Sequence, residues 1–186
     1  MTTRSIHSVK NITFNALMIA ALVICSQISL PLPGGIPMTL QTFAISLIGF
    51  LLSWKNGLLI VGVYLALGFF GFPVFSNFGA GPAKLFGPTG GYLIGFLPMV
   101  FLIGISSKWI DRDKLSKYIP ISMLSVAALL ISHLCGIIWL SYLSNMGFWS
   151  TALVGSIPFL FKDIVSVILG YITARTLRRH KIFISN

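Results

Sequence analysis

Residues 72–92 read FPVFSNFGAGPAKLFGPTGGY, and this stretch lies between strongly apolar segments of the chain. Its glycines permit positive φ, while its prolines fix φ and lack an N–H donor, so the stretch cannot form a continuous helix. Phe72, Phe75, Phe78 and Phe86 make it too apolar for a solvated linker. We predict an ordered loop with apolar anchors. Such loops often carry function, and the alternative is a plain surface connection.

The composition is that of an integral membrane protein. The 186 residues are 56% hydrophobic and only 9% charged, against about 25% charged residues in a soluble domain. Lys and Arg number 13 and Asp and Glu number 3, which gives a net charge of +10. The basic residues stand at the ends of apolar runs, as orientation signals do, rather than in one cluster. This distribution argues against a nucleic-acid partner.

Six apolar runs predict an all-α bundle of six transmembrane helices in a single transmembrane domain. The runs cover residues 12–30, 38–53, 58–72, 92–107, 119–143 and 157–174. The second and third hold about 16 residues, or about 24 Å of helix, which is short against a hydrocarbon core of about 30 Å. Their outer ends should therefore meet neighbouring protein or line a cavity. A polar arm is predicted over 1–10 and a turn over 54–57.

The basic residues also predict the orientation of the bundle. If the amino terminus is cytoplasmic, the inner segments carry nearly all of the basic side chains, and both termini lie inside. Lys84 is then the basic residue of the outer loops, and the loops at 31–37 and 72–92 share the outer face. The inner set is Arg4, Lys10, Lys55, Lys108, Arg112, Lys114, Lys117, Arg175, Arg178, Arg179 and Lys181.

Asp163 is the acid that lies outside the predicted inner loop. If the last helix begins near Ile157, Asp163 lies roughly 9 Å along it. An acid inside the membrane is costly and marks a candidate functional site. A pair with Lys162 or Lys84 is the alternative. Adjacent helical residues point in different directions, so we expect the Lys162 pair to be poor and favour a ligand role for Asp163.

Several other polar or aromatic residues allow two interpretations each. His133 near Cys135 is weak support for zinc, and a packed, hydrogen-bonded histidine is favoured. The acids of the 111–113 segment suit helix caps better than a metal. Gln41 opens the second helix together with two threonines, as a cap or as a cavity wall. Trp139 is an interface anchor or a pocket wall. We therefore expect no metal and no cofactor.

A small-residue pair, Ala16-x-x-x-Ala20, marks the first helix. Small residues let helices approach closely, so the pair indicates either internal packing or a contact surface for another membrane subunit. The chain has no nucleotide-binding loop and no hydrolase or metalloprotease signature. We predict that it is not an enzyme and does not hydrolyse ATP itself.

Three blocks carry a resemblance to a known family. PMTLQT at 37–42, GFFGFPVF at 68–75 and LFGPTGGY at 85–92 occur in that order, and they resemble the BioY family. That family is the biotin-binding substrate (S) component of energy-coupling-factor (ECF) vitamin transporters. The resemblance implies six helices with cytoplasmic termini and a biotin pocket near the outer face, capped by the first loop. It also implies a bacterial plasma-membrane location.

The resemblance further implies partners and a site. The partners would be a transmembrane coupling subunit, docked at Ala16 and Ala20, and two ATPase subunits. Our hypothesis is that Asp163 accepts the ureido N–H groups of biotin and that Lys84 pairs with its carboxylate. The predicted ligand-binding residues are Asp163, Tyr92, Lys84, Asn77, Gln41, Phe75, Trp139 and Ser166.

Three positions depart from the pattern of the family. Ser166 stands where members commonly carry a lysine three residues after the acid. Asn77 lies earlier than the loop asparagine of some members, and Leu93 stands where some have an arginine. Lys84 or Lys162 is the candidate to supply the missing cation. Two other functions stay open: an S component for another small vitamin, and a small membrane enzyme that uses Asp163 and His133.

Overall fold

The computed structural model describes residues 3–31, 36–111 and 115–180, and these residues are mostly helical. The helices are α1 (Thr3–Gln27), α2 (Gln41–Leu51), α3 (Trp54–Phe69), α4 (Pro82–Leu85), α5 (Gly90–Ser106), α6 (Tyr118–Ser144), α7 (Phe148–Gly155) and α8 (Ile157–Arg179). Strands β1 (Ser29–Leu30) and β2 (Met38–Thr39) form a short antiparallel pair. Single turns of 3-10 helix cover Ser76–Phe78, Ser107–Trp109 and Leu115–Lys117.

Length and composition identify the helices that suit a membrane. Within the described residues, the segments Gly90–Trp109, Leu115–Ser144 and Ile157–Arg179 are long and apolar enough to cross a bilayer. Shorter apolar helices cover Asn11–Gln27, Gln41–Leu51 and Trp54–Phe69. The prediction of a mainly helical membrane protein is therefore confirmed, while the count of six spans stays a prediction.

The short helix α2 is buried at the centre of the bundle. Its 11 residues give about 16 Å of length, and it packs between α5 and α8. Ile45, Ile48 and Phe50 are almost fully buried. A Cβ atom on Gly170 of α8 would lie 2.8 Å from the Cβ of Ser46, so the glycine permits this close helix contact. The ends of α2 thus meet protein rather than lipid.

Two helix starts differ from the predictions. Helix α1 already begins at Thr3, inside the predicted polar arm and before the first apolar run; α1 then ends at Gln27, and β1 follows. The predicted turn over 54–57 is wrong, because Trp54 begins α3. The Trp54 ring packs edge-on against Phe101 of α5 at 5.6 Å. Contact with α5 therefore outweighs the weak turn signal of the local sequence.

Two later segments also contain more helix than predicted. Helix α8 continues beyond residue 174 to Arg179, because the added residues include arginines, which are good helix formers and suit a helix carboxyl end. The segment between the fifth and sixth predicted runs contains a further short helix, α7. Phe148 and Trp149 lie in its first turn, and both side chains are exposed.

The loop between α3 and α5 is ordered, but a single phenylalanine anchors it. Phe75 is fully buried and meets the ring of Tyr64 at 5.4 Å. A Cβ atom on Gly68 would lie 2.0 Å from the Phe75 ring, so glycine makes room for this anchor. The expectation of further anchors is wrong for Phe72, Phe78 and Phe86, whose side chains are exposed.

The described bundle has two different ends. At the loop end, which carries β1, β2 and residues 70–89, hydrogen bonds join α1 to the loop. Ser26 Oγ donates to the Val74 carbonyl at 2.6 Å, and Gln27 Nε2 donates to the Phe75 carbonyl at 3.0 Å. At the basic end, which carries Lys108, Lys117 and the last turn of α8, Arg178 pairs with Asp111 at 2.6 Å and donates to the Leu51 carbonyl at 3.0 Å.

Candidate functional site

A cavity opens at the loop end, among α2, α5, α6 and α8. Its empty space measures about 630 Å³ when its open mouth is included. The wall combines apolar side chains with a smaller number of polar groups. The lining residues are Ile36, Pro37, Thr39, Gln41, Thr42, Ser76, Thr89, Tyr92, Leu93, Phe96, Met99, Leu129, Ser132, His133, Gly155, Phe159, Lys162 and Asp163. Such a mixture is typical of a small-molecule site.

Asp163 is the acidic group of this cavity and is 6% exposed. Its Oδ2 lies 3.2 Å from Nε2 of His133, and its Oδ1 forms an ion pair with Nζ of Lys162. The expectation of a poor pair with Lys162 is therefore wrong. Adjacent residues of a helix direct their Cβ atoms differently, but the long aliphatic stem of Lys162 lets its ammonium group reach back to the carboxylate.

Lys162 links α8 to the residues around the start of α2. Its Nζ donates a hydrogen bond to the carbonyl oxygen of Thr39 at 2.8 Å and lies 3.5 Å from Oγ1 of Thr42. The side chain keeps 20% of its surface exposed. Lys162 thus presents a cation to the cavity while it neutralises Asp163.

His133 is held on both sides of its ring. Nδ1 lies 3.0 Å from Oγ of Ser156, opposite the contact with Asp163. The Tyr92 hydroxyl lies 3.4 Å from the same Oγ and donates to the carbonyl of Gly155 at 2.6 Å. Nε2 faces a carboxylate, which can only accept, so this nitrogen is positioned to donate to Asp163. A continuous row of polar side chains therefore runs from Asp163 through His133 and Ser156 to Tyr92.

A second polar row runs from the cavity into the loop. Thr39 Oγ1 donates to Oε1 of Gln41 at 2.9 Å, and Gln41 Nε2 donates to the Tyr64 hydroxyl at 2.7 Å. Tyr64 in turn donates to the Val74 carbonyl at 3.1 Å. Gln41 therefore both lines the cavity and connects it to the buried part of the loop.

The structure brings three of the predicted ligand-binding residues to the cavity and leaves five outside its wall. Asp163, Tyr92 and Gln41 line it. Phe75 is buried against Tyr64, and Trp139 donates to the Gly87 carbonyl at 3.0 Å. Lys84 lies beside Gly79 in the loop. Asn77 accepts a hydrogen bond from Ser29 at 2.6 Å. Ser166 is buried further along α8.

Sequence reasoning missed most of the apolar wall. Leu93, Phe96 and Met99 recur on one face of α5, and Leu129 and Phe159 face them from α6 and α8. Their spacing of three residues was available as a helical signal. It did not distinguish the wall from ordinary core, because both are apolar. Lys162 was considered as an alternative cation, and the two threonines near α2 as a cap or a cavity wall; the structure places all three in the wall.

Two other predicted features are placed by the structure. Ala16 and Ala20 both lie on the exposed side of α1.

For the metal alternative, the described ranges contain no group of three or more His, Cys, Asp or Glu side chains that could hold an ion. Asp111 instead pairs with Arg178, and Arg112 and Asp113 lie outside the described residues.

Comparison with known proteins gives consistent matches along nearly the whole chain. The sequence model of the BioY family matches residues 1–182. The "Probable biotin transporter BioY" of Pyrococcus horikoshii is 36% identical over 169 residues, which cover 91% of this chain and 96% of that protein. The "Biotin transporter BioY" of Thermotoga maritima is 34% identical over 160 residues, which cover 86% and 90%.

A solved structure has the same fold. The S-component for biotin from an ECF-type ABC transporter, determined at 2.1 Å, superposes with a TM-score of 0.83 and 31% sequence identity. The match covers 96% of this chain and 95% of that one. These relatives are transporters and not enzymes, which confirms both the non-enzymatic prediction and the predicted location as a multi-pass protein of the cell membrane.

Proposed function

The chain belongs to the BioY family, as its three sequence blocks indicated, and from this premise we propose that it is the biotin-binding subunit of a vitamin uptake system. It would capture biotin in the cavity at the loop end. Separate ECF subunits would hydrolyse ATP and drive the release of the vitamin on the other side of the membrane.

The observation that carries the proposal is the position of Asp163. Its carboxylate lies in the cavity wall rather than against lipid, and two cation-capable side chains hold it there. The ureido ring of biotin has two N–H donors that need acceptors in a dry pocket. A donor left unpaired costs about 1–3 kcal/mol. Asp163 supplies the charged acceptor, and the apolar wall supplies contacts for the rest of the molecule.

Lys162 is the better-placed cation for the carboxylate of biotin. It lines the cavity, whereas Lys84 does not. We therefore assign the carboxylate to Lys162 in place of Lys84. The thioether ring and the aliphatic tail would lie along Leu93, Phe96 and Met99. Gln41 would offer the remaining lone pair of its Oε1 to the ligand and fix the position of Thr39.

We further propose six spans, with the loop end outside and both termini in the cytoplasm. The basic end carries Lys55, Lys108, Lys117 and the arginines of α8, so its charge suits the cytoplasmic side. Among the helices in the described part of the chain, three are long enough to span alone. The three shorter apolar helices would complete the set, with α2 sheltered by its neighbours.

The partner surface would be the exposed side of α1. Ala16 and Ala20 stand one turn apart on this side and offer no bulk. A helix of a transmembrane coupling subunit can approach closely there. Two ATPase subunits would bind that subunit from the cytoplasm and complete the transporter.

Equilibrium binding of radiolabelled biotin to the purified protein in detergent tests the proposal. Saturable binding well below millimolar concentration is expected, with unlabelled biotin as the competitor. Other water-soluble vitamins in the same assay should compete at least a hundredfold less well. If another vitamin binds instead, the architecture stands and the substrate changes. If biotin does not bind below millimolar concentration, the biotin assignment is wrong.

A further inference from the structure

The charge balance of the cavity leads to an inference about His133, which rests on the proposed binding of biotin. Among the described residues that line the cavity, Lys162 and Asp163 are the lysine and the carboxylate, and they form an ion pair. Biotin carries a carboxylate at neutral pH. If this carboxylate pairs with Lys162, Asp163 loses its cationic partner inside a buried site, which is unfavourable.

His133 is the group that can restore the balance. Its Nε2 lies 3.2 Å from Asp163, so a positive charge on the ring would compensate the carboxylate directly. Imidazole is also the side chain that gains a proton near neutral pH. The other titratable groups that face it are Lys162 on α8 and Tyr92 on α5, whose ring lies 6.3 Å from that of His133.

The surroundings of His133 accept a second proton on its ring without moving heavy atoms. Ser156 Oγ lies 3.0 Å from Nδ1, and a hydroxyl can donate to a bare nitrogen or accept from a protonated one. When the Ser156 hydroxyl turns to accept, its own proton can point to the Tyr92 oxygen, 3.4 Å away. Tyr92 still donates to the Gly155 carbonyl.

We propose that His133 takes up a proton from solvent when the cavity binds an anionic ligand, so that Asp163 keeps a cationic partner after Lys162 turns to the ligand. The proton bonds to Nδ1, and Nε2–H stays directed at Asp163. Binding is then linked to proton uptake. Biotin affinity falls as the pH rises from about 6 to 8, by at most about tenfold per pH unit for one proton.

Isothermal titration calorimetry tests this proposal on the full chain in detergent. Titrations with biotin in buffers of different ionisation enthalpy give the number of protons exchanged on binding. When biotin binds to the wild-type protein, we expect a measurable uptake of up to one proton. When the methyl ester of biotin binds, which has no anionic charge, we expect no uptake. This ligand comparison needs no mutant and stays decisive if a variant fails to fold.

Two variants locate the proton. His133→Gln keeps an N–H donor for Asp163 but cannot gain charge, so its biotin affinity should not change between pH 6 and 8. His180→Gln, at the exposed end of α8, should keep the wild-type pH dependence. Biotin binding without proton uptake, or equal uptake in His133→Gln, would overturn the inference alone. Failure to bind biotin at any pH would overturn the proposed function as well.

Discussion

Nε2 of His133 on α6 lies 3.2 Å from Oδ2 of Asp163 on α8. The two residues are far apart in the sequence, and their contact closes one wall of the cavity. Lys162 occupies the other oxygen of the same carboxylate. Asp163 therefore enters ligand binding already oriented, and less free energy is needed to order it when a ligand arrives.

Asp163→Asn should lower biotin affinity by about ten- to a hundredfold, because a hydrogen bond to a charged group contributes about 1.5–3 kcal/mol. The amide also leaves the charge of Lys162 uncompensated. Equilibrium binding with radiolabelled biotin measures the change. Asp111→Asn, which removes an exposed partner of Arg178 at the other end, is the control and should bind like the wild type. Unchanged affinity in Asp163→Asn would contradict the site.

Lys162→Met and Lys84→Met separate the two candidate cations. Loss of Lys162 should weaken biotin binding by at least about tenfold, since a charge-assisted contact to the carboxylate is lost. It should weaken binding of the methyl ester much less. Lys84→Met should change neither affinity by more than about twofold, because Lys84 does not line the cavity. If Lys84→Met weakened biotin binding more than Lys162→Met, Lys84 would be the partner of the biotin carboxylate.

Tyr92→Phe should weaken biotin binding by about fivefold. The variant loses the hydrogen bond from the hydroxyl to the Gly155 carbonyl, and a net hydrogen bond contributes about 1 kcal/mol. It also loses an oxygen beside Ser156. Tyr142→Phe on the exposed side of α6 is the matched control. If both variants bind biotin equally well, the Tyr92 hydroxyl has no part in the site.

Gly68→Ala and Gly62→Ala compare two glycines of the same helix. A Cβ atom at Gly68 would lie 2.0 Å from the buried Phe75 ring, whereas one at Gly62 meets nothing within 4 Å. Overpacking costs about 1–3 kcal/mol, so Gly68→Ala should lower the melting temperature in detergent. Gly62→Ala should raise it or leave it unchanged, because alanine favours helix. Equal changes in melting temperature for the two variants would show that Phe75 does not anchor the loop.

Ala16→Trp and Ala20→Trp should reduce biotin uptake in cells by at least about fivefold while binding to the purified subunit stays normal. A bulky ring on this side of α1 prevents the close approach of a partner helix. Val126→Trp, on the exposed side of α6, controls for added bulk at another exposed position and should keep uptake. Equal loss of uptake and of binding would show that the two alanines pack inside the subunit.

The sequence predicted the parts of the fold that depend on composition. The apolar runs and the breakers of the 72–92 loop predicted a helical membrane bundle with an ordered loop. Asp163 was found because an acid within an apolar run is conspicuous. Gln41 was found because it opens an apolar run in a block that resembles a known family. Each of these signals is local, so each could be read from a few residues.

The remaining features depend on contacts between distant segments. His133 reaches Asp163 only because α6 packs beside α8, and sequence spacing does not indicate this. The Lys162 pair was rejected on Cβ directions, which do not limit a long flexible stem. Trp54 begins a helix because α5 provides a surface for its ring. Phe78 was expected to be an anchor, but its φ of 53° and its exposure place the ring outside the core.

Helices α2 and α8 are fastened to each other at two levels. Near the cavity, Lys162 holds the carbonyl of Thr39, just before α2. At the far end, Arg178 holds the carbonyl of Leu51, the last residue of α2. The two helices should therefore move together as one rigid unit. A force applied at the Arg178 end of this unit would therefore also displace the cavity wall that carries Asp163.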